Sequence, residues 1–200
     1  MTDPLSVDVF VEDSAHERLL LAFLRRLAAE RNCALRTQVL CARGGHSKAV
    51  HAMADTQRML LGGGLQRPIA DLFLVGIDGN CTTAAEKRRQ IREACRPEFH
   101  DRLVIACPDP HVERWFMADP ESFERVVDRR PKLGREKCER DHYKRLLGST
   151  IAEAGHPAPL GGLEFADELV AAMDLYRACK NDAALSMFLD DLRAALARRS

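Results

Sequence analysis

Short apolar runs alternate with longer amphipathic stretches along the first half of the chain. The run from Leu72 to Ile77 contains five large apolar residues, a density that is typical of a strand buried on both faces of a sheet. Between such runs, apolar residues recur at helical spacing, and Ser14 with Glu17 is the expected capping box of the first helix. We predict strands near residues 6–11, 32–41, 72–77 and 102–107, and helices near 15–31, 47–61 and 82–96.

This β-α-β-α-β-α-β order predicts an α/β fold. Strands joined by helices of crossover length form parallel sheets, with right-handed connections that place helices on both faces. We therefore expect a Rossmann-like, mostly parallel sheet over residues 1–130. Later amphipathic stretches near 138–154, 163–179 and 182–197 predict a C-terminal helical extension over 131–200 that packs on this domain.

Composition limits the partners and the compartment. The 200 residues include 30 basic and 30 acidic side chains, so net charge alone does not indicate a nucleic-acid partner and leaves room only for a local basic patch. The seven cysteines contain no C-x-x-C pair and lie partly in apolar runs, which favours reduced thiols over a zinc site. The first residues lack a signal-peptide pattern and no apolar run has the length of a membrane span, so we expect a cytoplasmic protein.

Three acidic residues follow predicted strands at their carboxyl ends. Glu12 comes after the first strand, Asp78 with Asn80 after the third, and Glu113 opens the helix after the fourth. Because the carboxyl ends of parallel strands meet at one edge of a sheet, we expect these side chains to converge. Glu12 and Glu113 also have a simpler explanation, since acids are favoured near the start of a helix.

A group of converging carboxylates predicts a metal site. Such groups repel one another unless a cation neutralises them. The oxygen donors of Glu12, Asp78 and Asn80 favour Mg²⁺ or Mn²⁺. An ion of this kind can activate water and stabilise the leaving oxygen in phosphodiester cleavage.

A glycine turn after the second strand has three basic or polar side chains, those of Arg43, His46 and Lys48. The turn lacks the spacing of a phosphate-binding P-loop. These side chains either belong to a solvated loop or contact a phosphate backbone. The second interpretation follows from the position of the turn, which lies at the same edge of the sheet as the acids.

The segments around the acids resemble the Toprim family, which includes topoisomerases, bacterial primases and the overcoming-lysogenisation-defect nucleases. The matching segments are 9–12, which ends in Glu12 before a helix, and 73–80, which ends in Asp78-Gly79-Asn80. The chain is most similar to small stand-alone Toprim-like proteins of bacterial defence loci. That similarity rests on the Gly-Gly turn at 44–48, the Glu-x-Trp segment at 113–120 that ends in Asp-Pro, and the Tyr-Lys pair at 143–144.

The resemblance implies a Mg²⁺- or Mn²⁺-dependent nuclease that cleaves DNA or RNA as a phage-defence effector. It implies catalytic roles for Glu12, Asp78 and Glu113, and metal ligation by Glu12, Asp78 and Asn80. It also implies a partner ATPase of the ABC or AAA type. The oligomeric state, including a homo-oligomer, stays open. The residues implied to contact substrate phosphates are Arg43, His46, Lys48 and Lys144.

Two departures from the family pattern keep a second function open. Asp13 stands where a glycine is usual, and Asn80 stands where the family has a second aspartate. The alternative is a catalytically weakened Toprim-like module that binds a partner ATPase or nucleic acid. A receiver-like signalling domain is a third interpretation, but it requires a lysine after the fourth strand, where this chain has Pro108 and Asp109.

Overall fold

The structure is a computed structural model that describes residues 3–42, 45–80, 82–134, 136, 139 and 141–198, with only the backbone of His46. The strands are β1 (Leu5–Val11), β2 (Leu35–Cys41), β3 (Leu72–Gly76) and β4 (Leu103–Ala106). The helices are α1 (Ser14–Ala29), α2 (His46–Leu61), α3 (Ala84–Ala94), α4 (Val112–Phe116), α5 (Pro120–Val127), α6 (His142–Glu153), α7 (Ala166–Ala172), α8 (Leu175–Asn181) and α9 (Ala183–Ala197). Short 3₁₀ helices cover Pro97–Arg102 and Leu163–Phe165.

The four strands form an entirely parallel sheet in the order β2-β1-β3-β4, which confirms the predicted fold class. The chain runs from β1 outward to β2 and then crosses back over β1 to β3. The direction of the crossovers therefore reverses between β1 and β3. In open α/β sheets, the loops after two such strands diverge and leave a crevice at their carboxyl ends, where ligands bind.

The strand β3 lies in the interior of the sheet, and all five of its residues are buried. Phe73 on β3 stacks on Phe10 of β1 with 6.3 Å between ring centres, and its other neighbour is Phe99 at 5.1 Å. A strand covered on both faces has no polar side, which explains its uninterrupted apolar sequence.

Helices cover both faces of the sheet. Because right-handed crossovers run in opposite directions from β1 and from β2, α1 and α2 lie on opposite faces. On the first face, α1 packs against α4 and α7. On the opposite face, α2 packs against α3. The helix α9 packs against β4. Within the described residues, no helix is long and apolar enough to cross a bilayer.

The C-terminal helices contribute to the same hydrophobic core as the sheet. The rings of Phe23 in α1 and Phe188 in α9, for example, meet edge to face at 6.0 Å. The single helix predicted over 163–179 is wrong, because extended backbone at Met173 and the N-cap of Asp174 separate α7 from α8. The division of the chain at residue 130 stays a prediction.

Candidate active site

Glu12 and Asp78 are in contact at the carboxyl ends of β1 and β3. The backbone N–H of Glu12 donates to the carbonyl of Gly76 at 3.3 Å, which extends the pairing of the two strands by one step. The N–H of Asp78 then donates to Oε1 of Glu12 at 3.2 Å. Two of the predicted catalytic residues are thus brought together by the topology of the sheet.

The loop after β3 is held against the loop after β4. The N–H of Gly79 donates to the carbonyl of Pro108 at 2.7 Å, and the N–H of Asn80 donates to that of Pro110 at 2.9 Å. A Cβ at Gly79 would lie 2.9 Å from the Pro108 oxygen, so this approach requires glycine. Asn80 has a left-handed backbone with φ of 53°, which asparagine tolerates better than most residues. The loop pairing fixes the position of Asp78.

Asp13 and His16, from the start of α1, complete one wall of the crevice. The N-cap of α1 is Asp13 and not the predicted Ser14, because the Asp13 carboxylate accepts the N–H groups of Ala15 and His16, each at 3.0 Å. The same carboxylate oxygen accepts from Nδ1 of the fully buried His16 at 2.8 Å. Nε2 of His16 lies 3.1 Å from Oδ1 of Asp78. This is an ion-pair distance without hydrogen-bond alignment, so Nε2 has no hydrogen-bond partner among the described residues.

Asp78 also binds the start of α4. Its Oδ1 accepts the N–H of Val112 at 2.8 Å, and its Oδ2 accepts from Nδ1 of the partly buried His111 at 3.0 Å. A carboxylate has about four acceptor positions, so these contacts leave Asp78 with acceptor capacity. We call the group formed by Glu12, Asp13, His16, Asp78, His111 and Glu113 the acidic crevice.

Burial and charge shift the pKa values of the acidic crevice in different directions. Burial raises the pKa of Glu12 to about 7; His16 opposes the rise and Asp78 adds to it. Burial also disfavours the charged forms of Asp78 and His16, but their attraction outweighs it, so the pKa of Asp78 falls and that of His16 rises well above its usual value. Burial opposes ionisation of Asp13 as well, yet its hydrogen bond with His16 lowers its pKa to about 2. Without a bound metal, these shifts favour a protonated His16 ring between the carboxylates of Asp13 and Asp78.

Glu113 is the remaining member of the acidic crevice, and Asn80 follows Asp78 in the chain. Glu113 is in the first turn of α4, is 9% exposed, and has a pKa raised by burial and then by the charge of Asp78. The third predicted acid therefore shares the electrostatic surroundings of Asp78. Asn80 lies two residues beyond Asp78, and its side chain forms no hydrogen bond within the described part of the chain. Its role as a metal ligand stays a prediction.

The predicted phosphate contacts near α2 are only partly described. Arg43 lies outside the described residues, and so does the side chain of His46. Lys48 is exposed in the first turn of α2. Because α2 begins after the carboxyl end of β2, Lys48 lies on the edge of the sheet that also carries the acids.

The fourth predicted phosphate contact, Lys144, is exposed near the start of α6. Its neighbour Tyr143 is buried, and the Tyr143 ring centre lies 6.5 Å from that of His111. The first turn of α6 therefore borders the acidic crevice on the side of His111.

Three members of the acidic crevice were missed by the sequence prediction: Asp13, His16 and His111. The spacing of three residues between Asp13 and His16 at a helix start is a usable signal, because it lets an N-cap carboxylate reach the side chain. His111 follows the fourth strand as closely as Glu113 does. His111 would have been predicted if histidines after strand ends had been considered together with the acids.

The donors of the acidic crevice fit a divalent cation. One ligand atom from each of Glu12, Asp13 and His16 lies within 4.8 Å of the other two. The Nδ1–H of His16 is held by a carboxylate while Nε2 is buried without a hydrogen bond to any described residue, the arrangement that metal-binding histidines use. A ring nitrogen among oxygen donors suits Mn²⁺ or Zn²⁺ as well as Mg²⁺, so these residues do not single out Mg²⁺.

Comparison with known proteins identifies no relative of this chain. No family model matches it, and neither does any curated protein or solved structure. The resemblance to the Toprim family therefore stays a prediction. What can be said of function rests on the fold class and on the geometry of the acidic crevice.

Proposed function

We propose that this chain is a divalent-metal-dependent nuclease that hydrolyses phosphodiester bonds in DNA or RNA. The main support is the contact of Glu12 with Asp78, at 3.2 Å, in the crevice between β1 and β3. A buried acid whose pKa is displaced by a specific charged neighbour is typical of a functional site. When bound, the metal ion would neutralise the carboxylates and polarise the phosphate.

The acidic crevice provides the groups that would hold such an ion. Glu12 and Asp78 offer carboxylate oxygens, and Nε2 of His16, which has no hydrogen bond to a described residue, lies next to Oδ1 of Asp78. Glu113 and Asn80 are the further candidate ligands, since both follow strand ends at the same edge. Asp13 would keep the His16 ring in place through its bond to Nδ1.

Two residues of the acidic crevice are placed to move protons. A water molecule attacks phosphorus and gives its proton to a carboxylate oxygen of Glu12, which lies beside Asp78 at the carboxyl end of β1. The bond from phosphorus to the leaving oxygen breaks, and that oxygen takes a proton from Nε2 of His111. The hydrogen bond to Asp78 raises the pKa of His111, which favours the protonated form that this role requires.

The basic side chains would position the substrate. Lys48 and Lys144 are exposed at the same edge of the sheet as the acids, and cations there attract a phosphate backbone without reading its sequence. Arg43 and His46 have the same proposed role. The phage-defence role and the ATPase partner of ABC or AAA type rest on the Toprim resemblance alone.

The proposal is tested by incubating the purified protein with labelled DNA and RNA, single- and double-stranded, in Mg²⁺, Mn²⁺, Zn²⁺ or EDTA. We expect cleavage with a metal, none in EDTA, and none by Asp78→Asn. Asp190→Asn makes the same change at an exposed position of α9 and should cleave like the wild type. Absence of cleavage with every metal, or equal cleavage by Asp78→Asn, would refute the proposal. Nucleic-acid or ATPase binding without cleavage would instead favour the weakened Toprim-like module.

A further inference from the structure

A second cavity, the side cleft, opens next to the acidic crevice and has a volume of about 310 Å³. Its walls come from the loop before α4, the first residue of α3, and the junction of α8 with α9. Pro110 lines the side cleft and directly precedes His111, whose Nδ1 is 3.0 Å from Asp78. The side cleft and the acidic crevice therefore share one wall.

The lining of the side cleft combines small apolar surfaces with one guanidinium. Ala84, Pro110, Ala183 and Met187 provide the apolar part. A cavity at the lower limit of ligand-pocket volumes, roughly 300 Å³, holds one small molecule or one nucleoside and no duplex. Any nucleotide bound here must therefore be unstacked from its neighbours.

Arg114 supplies the hydrogen-bond donors of the side cleft. Its Nη1 donates to the carbonyl of Asp109 at 3.4 Å, its Nε lies 3.6 Å from Oδ2 of Asp182, and its guanidinium lies 5.9 Å from the centre of the Tyr143 ring. Both polar contacts are longer than a good hydrogen bond. A guanidinium has five N–H donors, so within the described residues Arg114 is held in place with most of its donors available.

The charges around the side cleft select against a free anion. Three acidic residues, Asp109, Glu136 and Asp182, line it together with Arg114. A phosphate would be repelled by this lining. A neutral planar heterocycle with hydrogen-bond acceptors on one edge and donors on another fits this lining, because Arg114 can donate to the first edge and a carboxylate can accept from the second.

Guanine is the nucleobase with that pattern. Its O6 and N7 accept two hydrogen bonds from an arginine, and its N1–H and N2–H groups are donors for a carboxylate. We propose that the side cleft binds an unpaired guanine of the substrate strand while the adjoining phosphate occupies the acidic crevice, an assignment that rests on the proposed nuclease function. The substrate is then a single strand or a loop, and cleavage occurs next to guanine.

Binding can be measured apart from cleavage. Short labelled DNA and RNA strands of pyrimidines with one central guanine, or with adenine in its place, carry neutral methylphosphonate groups in place of the phosphates on either side of that base, so that the metal-free acidic crevice does not repel them. They are titrated with protein in EDTA and followed by fluorescence anisotropy. One bidentate base contact corresponds to about tenfold or more in Kd. We expect that preference for guanine in DNA, in RNA or in both.

Met187→Trp fills the side cleft without changing the acidic crevice, and we expect it to abolish the preference. Met59→Trp is the matched control, because Met59 lies on α2 and is as exposed as Met187, both at 41%. A second variant, Arg114→Lys, keeps the charge but loses the forked donor and should also reduce the preference. Equal Kd values for the two strands, or a preference for guanine that Met187→Trp retains, would overturn the assignment.

The two proposals can fail separately. Guanine-selective binding without metal-dependent cleavage would refute the nuclease and leave the side cleft as a base-binding site. Cleavage that depends on metal and Asp78 but shows no preference for guanine would refute the side-cleft assignment and leave the nuclease.

Discussion

Replacing Glu12 by glutamine should stabilise the metal-free protein, and only at neutral and higher pH. The pKa of Glu12 is raised from its usual 4.5 to about 7, first by burial and also by Asp78. The unfolded chain releases this proton at lower pH than the folded chain does, so native stability falls as the pH rises through that interval. The glutamine amide would be neutral throughout and would keep an oxygen that can accept from the N–H of Asp78.

The size of the effect follows from the two pKa values. At about 1.4 kcal/mol per pH unit, the interval from 4.5 to about 7 corresponds to a ceiling of about 3.5 kcal/mol. Partial exposure of Glu12 reduces this, and we expect Glu12→Gln to gain about 2 kcal/mol near pH 8. Near pH 5 the unfolded carboxyl is only partly ionised, and the gain should be less than about 1 kcal/mol.

Urea unfolding in EDTA, followed by far-ultraviolet circular dichroism from about pH 5 to about pH 8, measures these differences. Glu168→Gln is the control, since it makes the same change at an exposed position of α7 and should show little pH dependence. A Glu12→Gln variant that is less stable than the wild type near pH 8 would refute the reasoning. So would a difference that is constant over the whole pH range.

Three further predictions concern the acidic crevice and the strand end that supports it. His111→Gln should lower kcat by about 10²- to 10⁴-fold, since it removes the proposed proton donor, with little change in the urea midpoint; unchanged kcat would contradict that role. A Cβ at Gly76 would overlap Cδ1 of Leu20 and approach the His16 ring. Gly76→Ala should therefore lower the free energy of unfolding in urea by about 1–3 kcal/mol, and by less when Leu20 is also replaced by alanine. Mn²⁺ at about 100 times its Kd should add about 2.7 kcal/mol to the free energy of unfolding; no gain, or an equal gain in Asp78→Asn, would contradict the metal site.

The sequence was sufficient for the fold because β1, β3 and β4 are almost entirely buried. The apolar run from Leu72 to Ile77 has no polar side to obscure it, and amphipathic stretches of crossover length separate the strands. Parallel topology then brings the ends of β1 and β3 together, so Glu12 and Asp78 could be paired without coordinates.

His16 could not be found in this way. It lies in α1 among buried leucines, so helical periodicity predicts only a core residue at this position. Its contact with Asp78 depends on the register of β1 with β3 and on the space that Gly76 leaves beside Leu20. Neither the strand register nor this space is a local property of the sequence; the local signal is the spacing of His16 from Asp13 at the start of α1.

The side cleft was also beyond prediction. Its walls come from segments that are distant along the chain, the loop before α4 and the junction of α8 with α9. The pattern around that junction predicts only amphipathic helix, and its packing next to the loop after β4 emerges only in the folded chain.

A crystal of the protein soaked in Mn²⁺ tests the central claim most directly, because anomalous scattering locates the ion independently of activity. We predict one ion in the acidic crevice, bound by oxygens of both Glu12 and Asp78 at about 2.0–2.3 Å, with His16 or Glu113 as a further ligand. An acidic crevice that stays without an ion, or an ion bound only elsewhere on the protein, would contradict the account.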